Sequence, residues 1–332
     1  MENYIDNGEK NNNRKKVLTA FLMLIVTAVS LTTASYAWFT ENTTVSVSGI
    51  DVNVSAANGI QVSVDAVNWK AIISNAEITG SAYSGHSNQL PAQIAPVSST
   101  GTIDTVTGFM NMYRGTLEAD VTTVHGYKLV STKTTEVAGT SGDFIAFDLF
   151  LLATQTTTVY LTTSSDVEAS ATDSGLKNAA RMAFLYEGVA PTGATATATA
   201  LHGATTAIIW EPNSNVHTAG GIAQAANYGQ TIGNNSIIPN YYALRAEILD
   251  TLVPSIDYQS TNATYFAQVT PTIQTPEDNN ANGTYQTLLS LQAGINKVRV
   301  YGWVEGQDFD CENNASGSNI TFNVQISKNA TP

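Results

Sequence analysis

The clearest pattern in the chain is an alternation in which Val45, Val47, Val52 and Val54 are separated by Ser, Asp and Asn. That is the period of a strand with one buried face. Gly49 and Ile50 shift the alternation by one residue, so a bulge is expected there. Asn58-Gly59 is a turn dipeptide, and a second alternating run follows through Ile60, Val62 and Val64, so the two runs read as a hairpin. Further strands are expected at 121–130, 144–153, 159–161, 207–210, 287–291, 298–304 and 320–327. The run at 144–153, FIAFDLFLLA, is nearly all apolar, which places it in the interior of a sheet.

Two segments carry helical spacing instead. Residues 174–187 set Leu176, Ala179, Ala180, Ala183, Phe184 and Glu187 at helical intervals, with Ser174 as a cap and Gly188 as a stop. Residues 241–252 put Tyr241, Leu244, Ile248 and Leu252 on one face ahead of Pro254. The expected architecture is all-β: a jelly-roll-like antiparallel β-sandwich with one or two short helices. Long loop insertions near 80–110 and 189–240 use up the remaining length. The second insertion opens with an Ala/Thr alternation at 189–204 and continues through an Asn-, Gly- and Ala-rich stretch at 211–240. No internal repeat or Pro-rich linker divides the region, so 58–332 reads as one sandwich domain.

The N-terminus has a different pattern. Arg14, Lys15 and Lys16 precede an uncharged stretch that lasts until Glu41, strongly apolar from Val17 to Leu31. Its length fits a signal-peptide core better than a spanning helix. Ser35 and Ala37 flank Tyr36 in the small positions that a signal peptidase reads, so 1–37 is expected to be a hydrophobic signal helix cleaved after Ala37. Retention as a membrane anchor is the alternative. Residues 38–57 would then be a short N-terminal segment ahead of the domain. No LPxTG-type wall-anchoring signal is read at the other end, so a cleaved form is expected either to diffuse away or to be retained by association.

Composition agrees with export. Only 12% of residues are charged, while 44 threonines supply polarity and hydrophobic content stays at 43%. A net charge of -13 argues against nucleic-acid binding, because phosphate would repel it. Removal of 1–37 takes away four basic and three acidic residues, leaving -14. One cysteine, Cys311, excludes a disulfide framework and a multi-cysteine metal site. It reads as a packed thiol, with an intermolecular disulfide as the alternative.

Catalytic motifs do not emerge. His86, His125, His202 and His217 never pair as HxH or HExxH and read as surface residues, and GxSxG and GxxxxGK[ST] are missing. A pair of carboxylates distant in sequence could still serve sugar hydrolysis, but nothing singles one out. The densest acidic run, Glu305, Asp308 and Asp310, reads first as a loop whose carboxylates cap local backbone groups, with Ca²⁺ ligation as the weaker reading. No other cofactor is expected.

Function therefore rests on the N-terminal strand. Trp38 and Phe39, followed by the row Val45, Val47, Ile50, Val52 and Val54, would make a poor free tail in water. The strand either pairs inside its own subunit or adds to the sheet of a neighbour, donor-strand style. Head-to-tail addition does not close, so it builds a filament.

The residues from Ser35 to Glu41, SYAWFTE, and the Val-, Ser- and Gly-rich strand from Val45 resemble precursors of the TasA/camelysin family of secreted Firmicutes surface and biofilm-matrix proteins. FIAFDLFLL, SGLKNAARMAFLYEG and VRVYGWVEGQDFDC are similar to stretches of surface proteins with this leader type. The resemblance covers about a third of the chain. It implies a jelly-roll-like subunit that polymerises into extracellular fibres through its mature N-terminus. Some members are classed as metalloproteases, but no HExxH is present to carry that activity. The expectation is a non-enzymatic structural subunit of a Gram-positive-type bacterium. Its partners would be itself, a signal peptidase and other matrix or surface components. A monomeric membrane-anchored adhesin-like module and a secreted carbohydrate-active enzyme are the alternatives.

Overall fold

In the computed structural model β1 (Val45–Val54) runs parallel to the last strand of the chain, β17 (Asn319–Ser327), with Val52 opposite Val324. The register slips between Val47 and Gly49, which is the expected bulge. The structure describes residues 16–17, 44–54, 59–80, 83, 85–119, 127–170, 175–227, 231–232, 241–253, 263–273, 285–311 and 317–331. All but two residues of the expected leader, together with Trp38, Phe39 and most of the expected strand at 121–130, lie outside these. Among the described residues no helix is long and apolar enough to cross a membrane. The chain divides into units Met1–Ser35 and Tyr36–Pro332, and the account below concerns the second.

After β1 come β2 (Ile60–Ser63), β3 (Ile72–Ile73), α1 (Asn75–Thr79) and β4 (Gln93–Ile94). Then follow β5 (Met112–Ala119), β6 (Tyr127–Thr134), β7 (Ile145–Ala153), β8 (Thr157–Leu161) and β9 (Asp166–Ala169). Next are β10 (Ala180–Ala190), α2 (Thr195–Thr199), β11 (Ala207–Trp210) and α3 (Ala219–Asn227). The chain continues through β12 (Tyr241–Leu244), β13 (Ile248–Val253), β14 (Phe266–Val269), β15 (Gln286–Leu291) and β16 (Gly294–Val304) before β17. At 48% strand and 8% helix among the described residues, the fold is all-β.

Two sheets share the main core. One runs β15-β8-β17-β1-β3, with β4 also on β1 and β9 also on β17; the other runs β11-β10-β16-β7-β2. Val52, Phe322 and Val324 of the first meet Phe147, Leu149, Phe184 and Val300 of the second in one apolar cluster. The pairing is antiparallel throughout both sheets except between β1 and β17. The expected hairpin at Asn58-Gly59 is not formed. β1 and β2 belong to different sheets, because the alternating faces of both strands are needed on opposite sides of the same core.

The five-stranded sheet is covered on its second face as well. Alternate residues Ala183, Leu185, Tyr301 and Trp303 pack there under Val97, Met110, Ala243 and Val269. Both expected insertions contribute to this cover, Val97 and Met110 from the first and α2 from the second. Covering on two faces explains a wrong expectation: 180–187 is strand β10, not helix. With both faces buried the strand has no polar alternation, and its Ala, Leu and Phe positions mimic helical spacing. The segment 241–252 is likewise two strands. Tyr241 and Ala243 pack over the five-stranded sheet, whereas Leu244 and Ile248 enter a satellite core with Tyr113, Phe266 and Phe309. A small sheet β13-β6-β5 and the pair β12-β14 complete the architecture.

Candidate functional site

The residues of the expected donor strand are core residues. Val45, Ile50, Val52 and Val54 are at most 3% exposed, and Val47 is half-buried beside them. On one side β1 has the long ladder to β17; on the other, among the described residues, it meets only the two-residue strands β3 and β4. A groove of about 290 Å³ opens next to the bulge, lined by Val47, Ile50, Leu90, Pro91 and Ile145 with His86 and Asn88 at its polar part.

The acidic run lies at the far end of the other sheet, where β10 begins and β11 and β16 end. Arg181, the second residue of β10, faces away from the main core and is fully buried. Its Nη2 donates to Glu211 Oε1 and to Asp308 Oδ2, both at 2.5 Å. Its Nη1 donates to the carbonyls of Asn178 at 2.9 Å and Ala180 at 3.0 Å, and the guanidinium stacks 5.1 Å from the Tyr241 ring centre. Asp310 accepts from Thr218 N at 2.7 Å and Thr218 Oγ1 at 2.9 Å, and pairs with His217 Nδ1 at 2.8 Å. Glu305 accepts from Ser99 N at 3.3 Å, Trp303 Nε1 at 3.2 Å and Gln307 N at 3.2 Å.

Glu305, Asp308 and Asp310 thus cap nearby groups as expected, but they also carry two ion pairs that the sequence did not show. His217 is 9% exposed, so the expectation of a surface histidine fails: its imidazole is drawn inward by Asp310. Among the described residues no three His, Cys, Asp or Glu side chains group so as to hold a metal ion between them. Cys311 is wholly buried in the main core, so a partner thiol would reach it only if the sandwich opened.

The loops meet closely here. A Cβ on Gly175, whose φ is +71°, would lie 1.9 Å from the Asp310 carbonyl oxygen, and one on Gly221 would lie 2.3 Å from Asp310 Oδ1. Burial raises Glu211 to about 7 with Asp308 adding to the effect, against the pull of Arg181. Burial likewise raises Glu305 to about 7, against hydrogen bonds and Arg181. The Asp310 carboxyl is pushed up by the same cause, and the His217 hydrogen bond opposes it.

A second buried charge cluster lies further along the same face of the sheet. Arg299 Nη1 donates to Asp148 Oδ1 at 2.9 Å, its Nη2 donates to Ser87 O at 2.8 Å, and it pairs with Glu136. Lys297 Nζ stands 3.3 Å from Asp148 Oδ2, and Tyr83 and Tyr301 donate to Asp148 and Glu136. Burial pushes Asp148 upward, but Arg299 and Lys297 outweigh it and hold the carboxyl below its ordinary value. Two cations are paired directly with two carboxylates here, and a third carboxylate, Glu187, is near enough to act on Tyr83.

An open cleft of about 800 Å³ is lined by Asp65, Val67, Tyr83, Thr195 and Thr199 among others. Asp65 is the one carboxylate among the described residues of that wall. Partial burial pushes it up, yet the amides of Asn68 and Val67 and the Ser63 hydroxyl hold it at about 2. Among the described residues no pair of facing carboxylates, which glycoside hydrolysis needs, lines this cleft.

No family model, curated protein or solved structure matches this chain significantly.

Arg181, Glu211, His217 and Arg299 were not singled out from sequence. A signal was present: Asp148, Arg181 and Arg299 each interrupt an otherwise apolar strand run, as FDL, ARM and VRV. A charge in a strand buried on both faces must have a partner.

Proposed function

We propose that this protein is an exported structural subunit, related to the TasA/camelysin-like secreted proteins, that assembles head to tail into an extracellular filament. In this reading the sandwich is jelly-roll-like and β1 is the strand exchanged between subunits. The supporting observation is the place of β1. It is the first described strand, contributes a full row of buried apolar side chains, and is held mainly by one ladder, to β17. Each such side chain is worth about 1.5–3 kcal/mol when buried. An emptied site next to β17 would therefore bind a replacement strand firmly.

Within one chain β1 fills its own site, which is the closed form of the same contact. β1 and β2, consecutive among the described strands, belong to different sheets, so β1 can leave without dragging a hairpin partner with it. In the filament β1 of one subunit would make the same pairs to β17 of the next. The gain per subunit is unchanged, and the contact propagates because it is not self-complementary.

The test is a disulfide lock between Asn53 and Gln325, register partners on the face of the sheet turned away from the main core. In the Asn53→Cys, Gln325→Cys variant, oxidation before assembly should trap monomers that make no fibres. Oxidation after assembly should give a covalent ladder on a non-reducing gel. Fibres that yield only internally bridged monomers would refute exchange. A complete lack of fibres from residues 38–332 would favour a monomeric surface module.

A further inference from the structure

The two buried charge clusters on the outer face of the five-stranded sheet are not equivalent. Around Arg299 two cations, Arg299 and Lys297, face Asp148 and Glu136 with Glu187 nearby, and among the described residues the orphans on that side are Arg299 Nε and Glu187 Oε1. Around Arg181 four buried carboxylates, Glu211, Glu305, Asp308 and Asp310, face one guanidinium and one imidazole. Seven of the nine buried side-chain polar atoms without a hydrogen-bond partner among the described residues also belong to this end of the sheet.

Four of the seven are oxygens: Glu211 Oε2, Asn178 Oδ1, Asn215 Oδ1 and Gln307 Oε1. Each sits in a loop anchored to the cluster on either side. Asn178 precedes Arg181 and gives it a carbonyl. Asn215 lies between Glu211, bound to Arg181, and His217, bound to Asp310. Gln307 lies between Glu305 and Asp308 and is 1% exposed. A buried orphan oxygen costs about 1–3 kcal/mol, and these four belong to the loops that also carry the excess of carboxylates, which calls for a positively charged occupant.

We propose that this end of the sheet binds a hard, oxygen-seeking cation of the Ca²⁺ type through Glu211, Asn178, Asn215 and Gln307. The donor set is oxygen only and comes from three irregular loops, which suits the adaptable coordination of Ca²⁺ better than the strict octahedron of Mg²⁺. It differs from the Glu305, Asp308 and Asp310 set read from the sequence, whose oxygens are used by protein groups. The orphan donors Arg181 Nε, Trp210 Nε1 and Gln307 Nε2 can bond to water carried on the ion. One carboxylate with an uncommitted oxygen, next to Arg181, makes a weak site, with a dissociation constant of about 10⁻⁴–10⁻³ M.

The test compares thermal unfolding of the EDTA-treated protein with and without Ca²⁺ at about ten times that concentration. Ca²⁺ should raise the midpoint by roughly 3 °C and Mg²⁺ should not. Gln307→Leu, which removes two orphan atoms at similar volume, should abolish the Ca²⁺ increment without lowering the Ca²⁺-free midpoint. Glu187→Gln, at an orphan away from Arg181, should keep it. As a second readout, Tb³⁺ should luminesce on excitation of tryptophan and be displaced by Ca²⁺. No increment and no displaceable Tb³⁺ signal in the unmodified protein, or the same increment in Gln307→Leu, overturns the proposal. Stabilisation by acidification alone, without any response to Ca²⁺, assigns the neutralising charge to protons and overturns it equally.

Discussion

Val52 of the first strand and Val324 of the last are register partners in a parallel pair, and neither side chain reaches solvent. The two ends of the domain therefore close its main core together. Val52→Ala and Val324→Ala should each lower the unfolding free energy by about 2 kcal/mol. Because the residues are neighbours in one cluster, the double variant should depart from additivity by about 0.5 kcal/mol or more. Denaturant unfolding of the four proteins measures both; strict additivity would place the side chains out of contact.

The Arg181 cluster predicts a pH dependence of definite sign. An ordinary glutamate titrates at 4.5, whereas Glu211 and Glu305 are raised to about 7 in the folded protein. Between those values the folded state holds protons that the unfolded chain has lost. The contribution is full below the lower value and disappears as pH rises through the upper one. In EDTA the melting midpoint should fall as pH is raised from about 5 to about 8. Glu305→Gln, which cannot ionise, should flatten that fall.

Cys311 has no exposed surface. A disulfide-exchange reagent should modify it only as fast as the domain opens, and reductant should leave the size of any assembly unchanged. Fast labelling of the native protein would contradict its position in the core.

Gly175 and Gly193 both have positive φ, at +71° and +83°, but their surroundings differ. Nothing lies within 4 Å of a Cβ on Gly193, so Gly193→Ala should cost only backbone strain, on the order of 1 kcal/mol. Gly175→Ala also drives a methyl into the Asp310 carbonyl and should cost clearly more, read as a larger drop in melting midpoint. Equal costs would mean that the loop carrying Gly175 can move away from Asp310.

Much of the fold was legible because half-buried strands announce themselves. The bulge near Gly49 and the alternating row from Val45 to Val54 were visible, since one face of β1 meets core and the other does not. β7, β16 and β17 were visible as apolar or alternating runs. β10 was not, because burial on both faces erases the period of two that marks a strand. The partner of β1 was also out of reach, since a turn dipeptide beside it suggested a local hairpin while the real neighbour is 265 or more residues away. At the Arg181 end the acidic run was conspicuous, but its cationic partners come singly from β10 and from the loop after β11. Only the fold brings them together.

The parallel register of β1 and β17 has a mechanical consequence. Val45 and Ser327 lie at opposite ends of the paired strands, so tension drawn from the two chain ends pulls β1 and β17 past each other along their length. The load then falls in shear on the whole ladder at once, instead of peeling it open one bond at a time. Within one chain, the pair therefore resists stretching between Val45 and Ser327 better than an antiparallel pair peeled from one end would.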